Sequence, residues 1–141
     1  MQHTKQWDHL KGPYEKNTHV ELLGHVPLKD MNALYKKAAL FVYPTLFPEI
    51  DCVSLTKAID ASCVCIHTSA GALNEKSTLY DTTCIGVRSE ARYEEGFALN
   101  EEEYTNFKNA VIHRLNTSDT ISKKKVKSSR DVFAVWYETL Q

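Results

Sequence analysis

The sequence predicts an α/β fold, a Rossmann-like parallel sheet of about four strands flanked by helices, with two C-terminal helices beyond it. Three observations carry that prediction. Short apolar runs alternate with stretches of helical periodicity at the pitch of βαβ units. The apolar runs are continuous rather than alternating, as strands covered on both faces require. Beyond Asn100 only helical periodicity is left.

Residues 19–23 read as a first short strand, closed by Gly24. Residues 30–38 follow as a helix, with Met31, Leu34 and Tyr35 (or Ala38) on its inward face. Residues 40–43 form an apolar strand that Pro44 stops, and residues 53–61 a helix burying Leu55, Ala58 and Ile59 while Thr56, Lys57 and Asp60 turn away. Residues 63–68 are a third strand, residues 69–71 a turn, residues 73–77 a helical turn and residues 82–87 a fourth strand.

Asn100 followed by Glu101, Glu102 and Glu103 has the form of a capping box, with acidic groups in the positive first turn. The helix it opens is expected to bury Tyr104, Phe107, Val111 and Leu115. After a break at residues 117–119, a final helix begins at about Ser122, with Val126, Ser129, Phe133, Trp136, Tyr137 and Leu140 along one stripe. Residues 7–16 carry one helical turn at most, broken by Gly12 and Pro13.

At 141 residues the chain is one domain's worth of sequence. Four parallel strands are few for a doubly wound sheet, so an edge is expected to be missing and residues 1–141 to form a partial domain, a fragment or the product of a shortened reading frame. The apolar fraction of 43% and charged fraction of 25% are those of a globular protein. A net charge of −1 provides no field toward nucleic acid or an anionic membrane, and the run Lys123, Lys124, Lys125 and Lys127 reads as a solvated helix face. The opening residues lack the apolar core of a signal peptide, and no run nears the ~18 residues of a membrane span, which points to a cytoplasmic protein without a transmembrane segment. Cys52, Cys63, Cys65 and Cys84 sit in or beside apolar runs rather than at metal-ligand spacing, and read as reduced and buried. His25 and His67, at strand ends, read as structural or solvent-facing, and no cluster argues for a metal or a cofactor.

Ligands of parallel α/β sheets bind beyond the carboxyl ends of the strands, where helix N-termini aim their N–H groups. Glu49 lies between one such strand end and the next helix, and its carboxylate can accept from sugar hydroxyls. Val53 and Ser54 offer first-turn N–H groups, and Ser54 a hydroxyl. The loop through Gly71 leaves the next strand with small residues that admit close approach, and Gly24, His25 and Val26 end the first. A nucleotide-sugar is a ligand that suits such an edge.

These residues bear a resemblance. The run from Val20 to Val26, then Met31 to Ala38, Leu40 to Pro44, Glu49, and Gly71-Ala72-Leu73-Asn74-Glu75 is similar to the donor-binding C-terminal domain of GT-B glycosyltransferases, in the retaining group known as group 1 or family 4. The similarity covers roughly residues 18–75. It implies a GT-B fold, a hexosyl-type transfer with retention of configuration, and a nucleotide-sugar as donor substrate with no cofactor and no metal. It implies that Glu49, the first Glu of the family's Glu–seven residues–Glu motif, contacts the donor sugar as the catalytic residue. It also implies that Asp51, Cys52, Val53 and Ser54 hold the diphosphate, with Lys57, His25, Val26 and Gly71 completing the donor site.

The chain departs from the family pattern in three places. The second motif Glu, which accepts from ribose hydroxyls, is Lys57, a donor only. Lys57 can meet a phosphate, pair with Glu49 or stand as a solvated helix residue. Asp51 brings a negative charge toward the diphosphate. The basic pair of the family's first strand and the N-terminal acceptor domain are lacking, so activity implies such a domain in cis or in trans. The alternative is a catalytically inactive α/β module that serves protein–protein interaction.

Overall fold

A computed structural model describes residues 12, 15–88 and 99–117. The expected helical turn in residues 7–16, apart from the residues just named, and the final helix with its lysine run lie outside the described residues. The chain divides into two compact units, residues 1–31 and 32–141. Its elements are α1 (Leu28–Lys37), β1 (Leu40–Tyr43), α2 (Val53–Asp60), β2 (Val64–Thr68), α3 (Ala72–Leu79), β3 (Thr83–Ile85) and α4 (Glu101–Asn116).

The fold class is α/β with a parallel sheet flanked by helices, and the sheet has three strands in the order β1-β2-β3. Leu40 pairs with Val64 and Tyr43 with His67, and Ile66 and Thr68 then pair with Thr83 and Ile85. The expected first strand at residues 19–23 is absent. Asn17 turns the chain there, its side chain accepting from the His19 N–H at 3.0 Å and its carbonyl from the Val20 N–H at 3.1 Å. Val20, Leu22 and Leu23 stay 40–49% exposed, so their apolar character is not spent in a sheet. An apolar run makes a strand only when a neighbouring edge takes its N–H and C=O groups.

The core lies where α2 and α3 cover β2. Leu55, Ala58 and Ile59 are buried on α2 as their spacing predicts, against Cys65, Ile66 and Leu73. Each large side chain fully buried here contributes roughly 1.5–3 kcal/mol. The four cysteines are free thiols. Burial pushes Cys65 up to about 12, with Cys63 adding to the shift, so the thiol is an inert apolar group. Tyr35 of α1 meets Phe41 with ring centroids 5.9 Å apart, and Phe41 stacks on Tyr43.

His67 is fully buried in β2, the central strand of the sheet. Its Nδ1 lies 2.9 Å from the Thr68 carbonyl oxygen, which only accepts, and its Nε2 lies 2.8 Å from the Thr82 hydroxyl. Desolvation outweighs the carbonyl contact and lowers its pKa below the ordinary 6.5, so the folded chain holds the ring neutral. The unfolded chain then binds more protons below pH 6.5, and folding stability falls as pH drops through that region. Urea titrations between pH 7.5 and pH 5 are expected to record that slope, and His67→Asn to flatten it whatever its effect on absolute stability.

The capping box opens α4 as expected, with Asn100 Oδ1 accepting from the Glu103 N–H and Glu103 from the Asn100 N–H, both at 2.9 Å. The helix is turned differently about its axis, however. Its inward side holds Glu103, Phe107, Ala110, Val111 and Arg114, so Phe107 and Val111 face inward as expected, while Tyr104 and Leu115, expected inside, are 58% and 53% exposed. Two polar anchors set that rotation. Glu103 receives the Arg88 backbone N–H at 2.9 Å and its guanidinium at 2.6 Å, and Arg114 donates to the Thr83 hydroxyl at 3.0 Å. Burial alone would raise the Glu103 carboxyl, but those N–H donors and the guanidinium outweigh it and leave its pKa lowered.

Candidate functional site

Two loops at successive strand ends meet around Glu49. Residues 44–52 connect β1 to α2, and residues 69–71 connect β2 to α3. The Thr68 hydroxyl donates to the Thr45 carbonyl and fastens the first loop to the end of β2. The Ala72 N–H donates to the Glu49 carbonyl at 2.8 Å, so the first free N–H of α3 is satisfied by the residue of interest. Gly71 makes that approach possible. Its φ is +57°, and a Cβ there would lie 2.5 Å from the Glu49 carbonyl oxygen and 2.7 Å from its nitrogen. The small residue at this turn admits the Glu49 backbone, where the sequence had pointed to close approach of a ligand.

The Glu49 side chain is half-buried, and its Oε1 accepts from the Tyr43 hydroxyl at 2.6 Å. That hydrogen bond, more than burial, drives the Tyr43 pKa far above the phenol range. Tyr43 thus fixes one carboxylate oxygen with a permanent donor. Sequence reasoning had read it only as an apolar strand end.

Cys52 is the residue before α2 and buried; its side chain forms no full cap, and the Leu55 and Ser54 N–H groups make only weak contacts with its sulfur. The first helical bond runs from the Thr56 N–H to the Cys52 carbonyl, which leaves Val53, Ser54 and Leu55 as first-turn donors without helical acceptors. Val53 and Ser54 are exposed. Desolvation raises the Cys52 thiol, so it stays neutral. This start contrasts with α4, which closes its own first turn by the capping box.

Asp51 is exposed, and its carboxylate pairs with the Lys76 ammonium. Lys76 is the residue that sequence reasoning missed. It projects from α3, is 9% exposed, and also donates to the Thr56 hydroxyl at 2.5 Å in the first turns of α2. A signal was present, because Lys76 stands three residues after the fully buried Leu73 and so shares its helix face. A lysine at a core-facing position has its ammonium led to a partner, here beside the start of α2.

Lys57 is half-buried and lines a cavity of about 230 Å3 with Asn32, Tyr35, Lys36, Asp60 and Ala61. It makes no pair with Glu49, whose carboxylate is met by Tyr43. His25 is exposed and Val26 half-buried, in the first of the two units. Among the described residues no group of three or more His, Cys, Asp or Glu could hold a metal ion, and no helix is long and apolar enough to cross a membrane.

Comparison with models of protein families, with curated proteins and with solved structures returned no match. The chemistry of the strand-end loops is therefore what speaks to function. A half-buried carboxylate with one oxygen fixed and the start of α2 lie on the β1–α2 connection, and the Lys76 ammonium reaches toward that helix from within α3.

Proposed function

We propose that the chain carries the donor-binding half of a retaining sugar transferase, in which the diphosphate of a nucleotide-sugar rests at the start of α2 and Glu49 receives sugar hydroxyls. The observation that supports this most is the pairing of the open first turn of α2 with Lys76. First-turn N–H groups without helical acceptors and a nearby cation are the means to stabilise the negative charge of a departing nucleoside diphosphate, which needs no metal. The helix start alone favours an anion by ~0.3–1 kcal/mol, up to ~2 if partly buried. Lys76 supplies positive charge beside that helix start, where it now pairs with Asp51. An acceptor domain, in cis or in trans, would supply the other wall of the cleft.

Saturation-transfer NMR of the chain against UDP-, GDP- and ADP-sugars at millimolar concentration tests the reading. At least one is expected to give signals, and Glu49→Gln to weaken those of its sugar protons more than those of its base. Silence from every nucleotide-sugar sinks the proposal. The second reading, an inactive α/β module for protein contacts, is favoured by Phe47, Ile50 and Val53, three apolar residues 45–94% exposed around the same loop. Under that reading Glu49→Ala leaves every interaction of the chain intact.

A further inference from the structure

The cavity of about 230 Å3 that Lys57 lines is bounded by α1 and by the second half of α2, all of it within the second compact unit. Its walls are two helical faces of the same spacing. Asn32, Tyr35 and Lys36 stand at i, i+3 and i+4 along α1, and Lys57, Asp60 and Ala61 repeat that pattern along α2 and the residue that ends it.

Elsewhere in this unit the polar side chains that reach inward are answered, Tyr43 by Glu49, Lys76 by Asp51 and Thr56, and Arg114 by Thr83. Three groups on the cavity are not. Tyr35 is only 7% exposed, yet its hydroxyl takes no hydrogen bond among the described residues. Neither does the ammonium of the half-buried Lys57, nor the Asn32 amide. A hydroxyl so far inside carries a desolvation cost that a molecule in the cavity can offset.

The charge balance decides what kind of molecule fits. Lys36 and Lys57 against Asp60 leave one net positive charge. The cavity also lies beside the last turns of α1 and α2, and each such helix end carries roughly −0.5 of a charge. The two ends offset the surplus, so an ion gains little here. Hydrogen bonding of both senses is what the walls offer. Lys57 donates, Tyr35 and Asn32 donate and accept, and Asp60 keeps acceptor capacity beyond the partner it already has. The Tyr35 ring and the Ala61 methyl add apolar surface. The volume falls below the ~300–1,000 Å3 of drug-sized ligand sites, which is too little for a nucleotide-sugar.

We propose that this cavity binds a small neutral polyol the size of a monosaccharide, whose hydroxyls answer Tyr35, Lys57 and Asn32. The site is separate from the start of α2 and stands whether or not a donor binds there.

Titration of the isotope-labelled full chain with glucose, mannose, galactose and myo-inositol, read by amide chemical shifts, tests it. At least one is expected to shift the Asn32, Lys57 and Ala61 amides, with saturation in the millimolar range. Tyr35→Phe deletes the hydroxyl and keeps the ring that meets Phe41, and Lys57→Met deletes the ammonium. Each is expected to raise the dissociation constant about two- to tenfold, as loss of one hydrogen bond does, with the amides of β2 unmoved. Absence of saturation with all four polyols overturns the proposal, as does a dissociation constant that neither variant moves. Saturation by acetate or inorganic phosphate instead assigns an anion to the cavity and overturns it. Polyol shifts centred on Ser54 and Gly71 assign the sugar to the Glu49 edge and overturn it as well.

Discussion

Gly71→Ala is expected to be the most damaging single-methyl change in the described part of the chain. Two costs add at this position. A residue with a side chain held at φ +57° costs roughly 1–3 kcal/mol in this setting. The new Cβ also meets backbone rather than a movable side chain, at 2.5 Å from the Glu49 carbonyl oxygen and 2.7 Å from its nitrogen. Backbone cannot give without moving the loop, so the hydrogen bond from the Ala72 N–H to Glu49 must lengthen or break. Urea unfolding should show a midpoint lowered by an amount corresponding to at least ~2 kcal/mol. The Glu49 and Tyr43 resonances should shift in whatever fraction stays folded. An unchanged midpoint would mean that the two loops are not in contact, and the site built on their contact would go with it. Gly24→Ala is a useful control, since Gly24 also has positive φ (+61°) but nothing within 4 Å of its Cβ position.

The parts of the fold set by local chemistry were legible in the sequence. The strands β1, β2 and β3, the inward face of α2 and the capping box of α4 follow from continuous apolar runs, from helical spacing and from Asn100 standing three residues before Glu103. What depended on a partner was not. Residues 20–23 carry strand composition, yet a strand is a relation between two edges, and the turn at Asn17 withholds one. The α4 stripe was read from apolar residues alone, while the helix is oriented by Glu103 and Arg114 through bonds to Arg88 and Thr83. The candidate site divides in the same way. Glu49 and the start of α2 were legible from chain order. The Tyr43 hydroxyl that fixes the carboxylate and the Lys76 ammonium that neutralises Asp51 arrive from other elements, and periodicity does not say what a side-chain tip will meet.

Lys76→Met and Asp51→Asn are expected to move nucleotide-sugar binding in opposite directions, on the proposed role of the α2 start. Methionine keeps most of the apolar stem that packs beside Leu73 and deletes the charge. Asp51 is exposed and returns to water when its partner is lost, so the stability cost should be mainly that of the hydrogen bond to Thr56, ~0.5–1.5 kcal/mol. Binding should suffer more. A hydrogen bond from an ammonium to a phosphate contributes ~1.5–3 kcal/mol, which is about 10- to 150-fold in dissociation constant. Asp51→Asn removes the anion that now occupies Lys76, and with it a competing pair of about 0.5–1 kcal/mol, so affinity should rise about two- to fivefold. Titration of each variant with the nucleotide-sugar that gives the strongest saturation-transfer signal measures both effects. The opposed signs are diagnostic, because a merely unfolded or loosened chain would weaken binding in both variants. If Lys76→Met binds as the parent chain does, the ammonium is a structural clamp between α2 and α3, and the diphosphate has no cation at that edge.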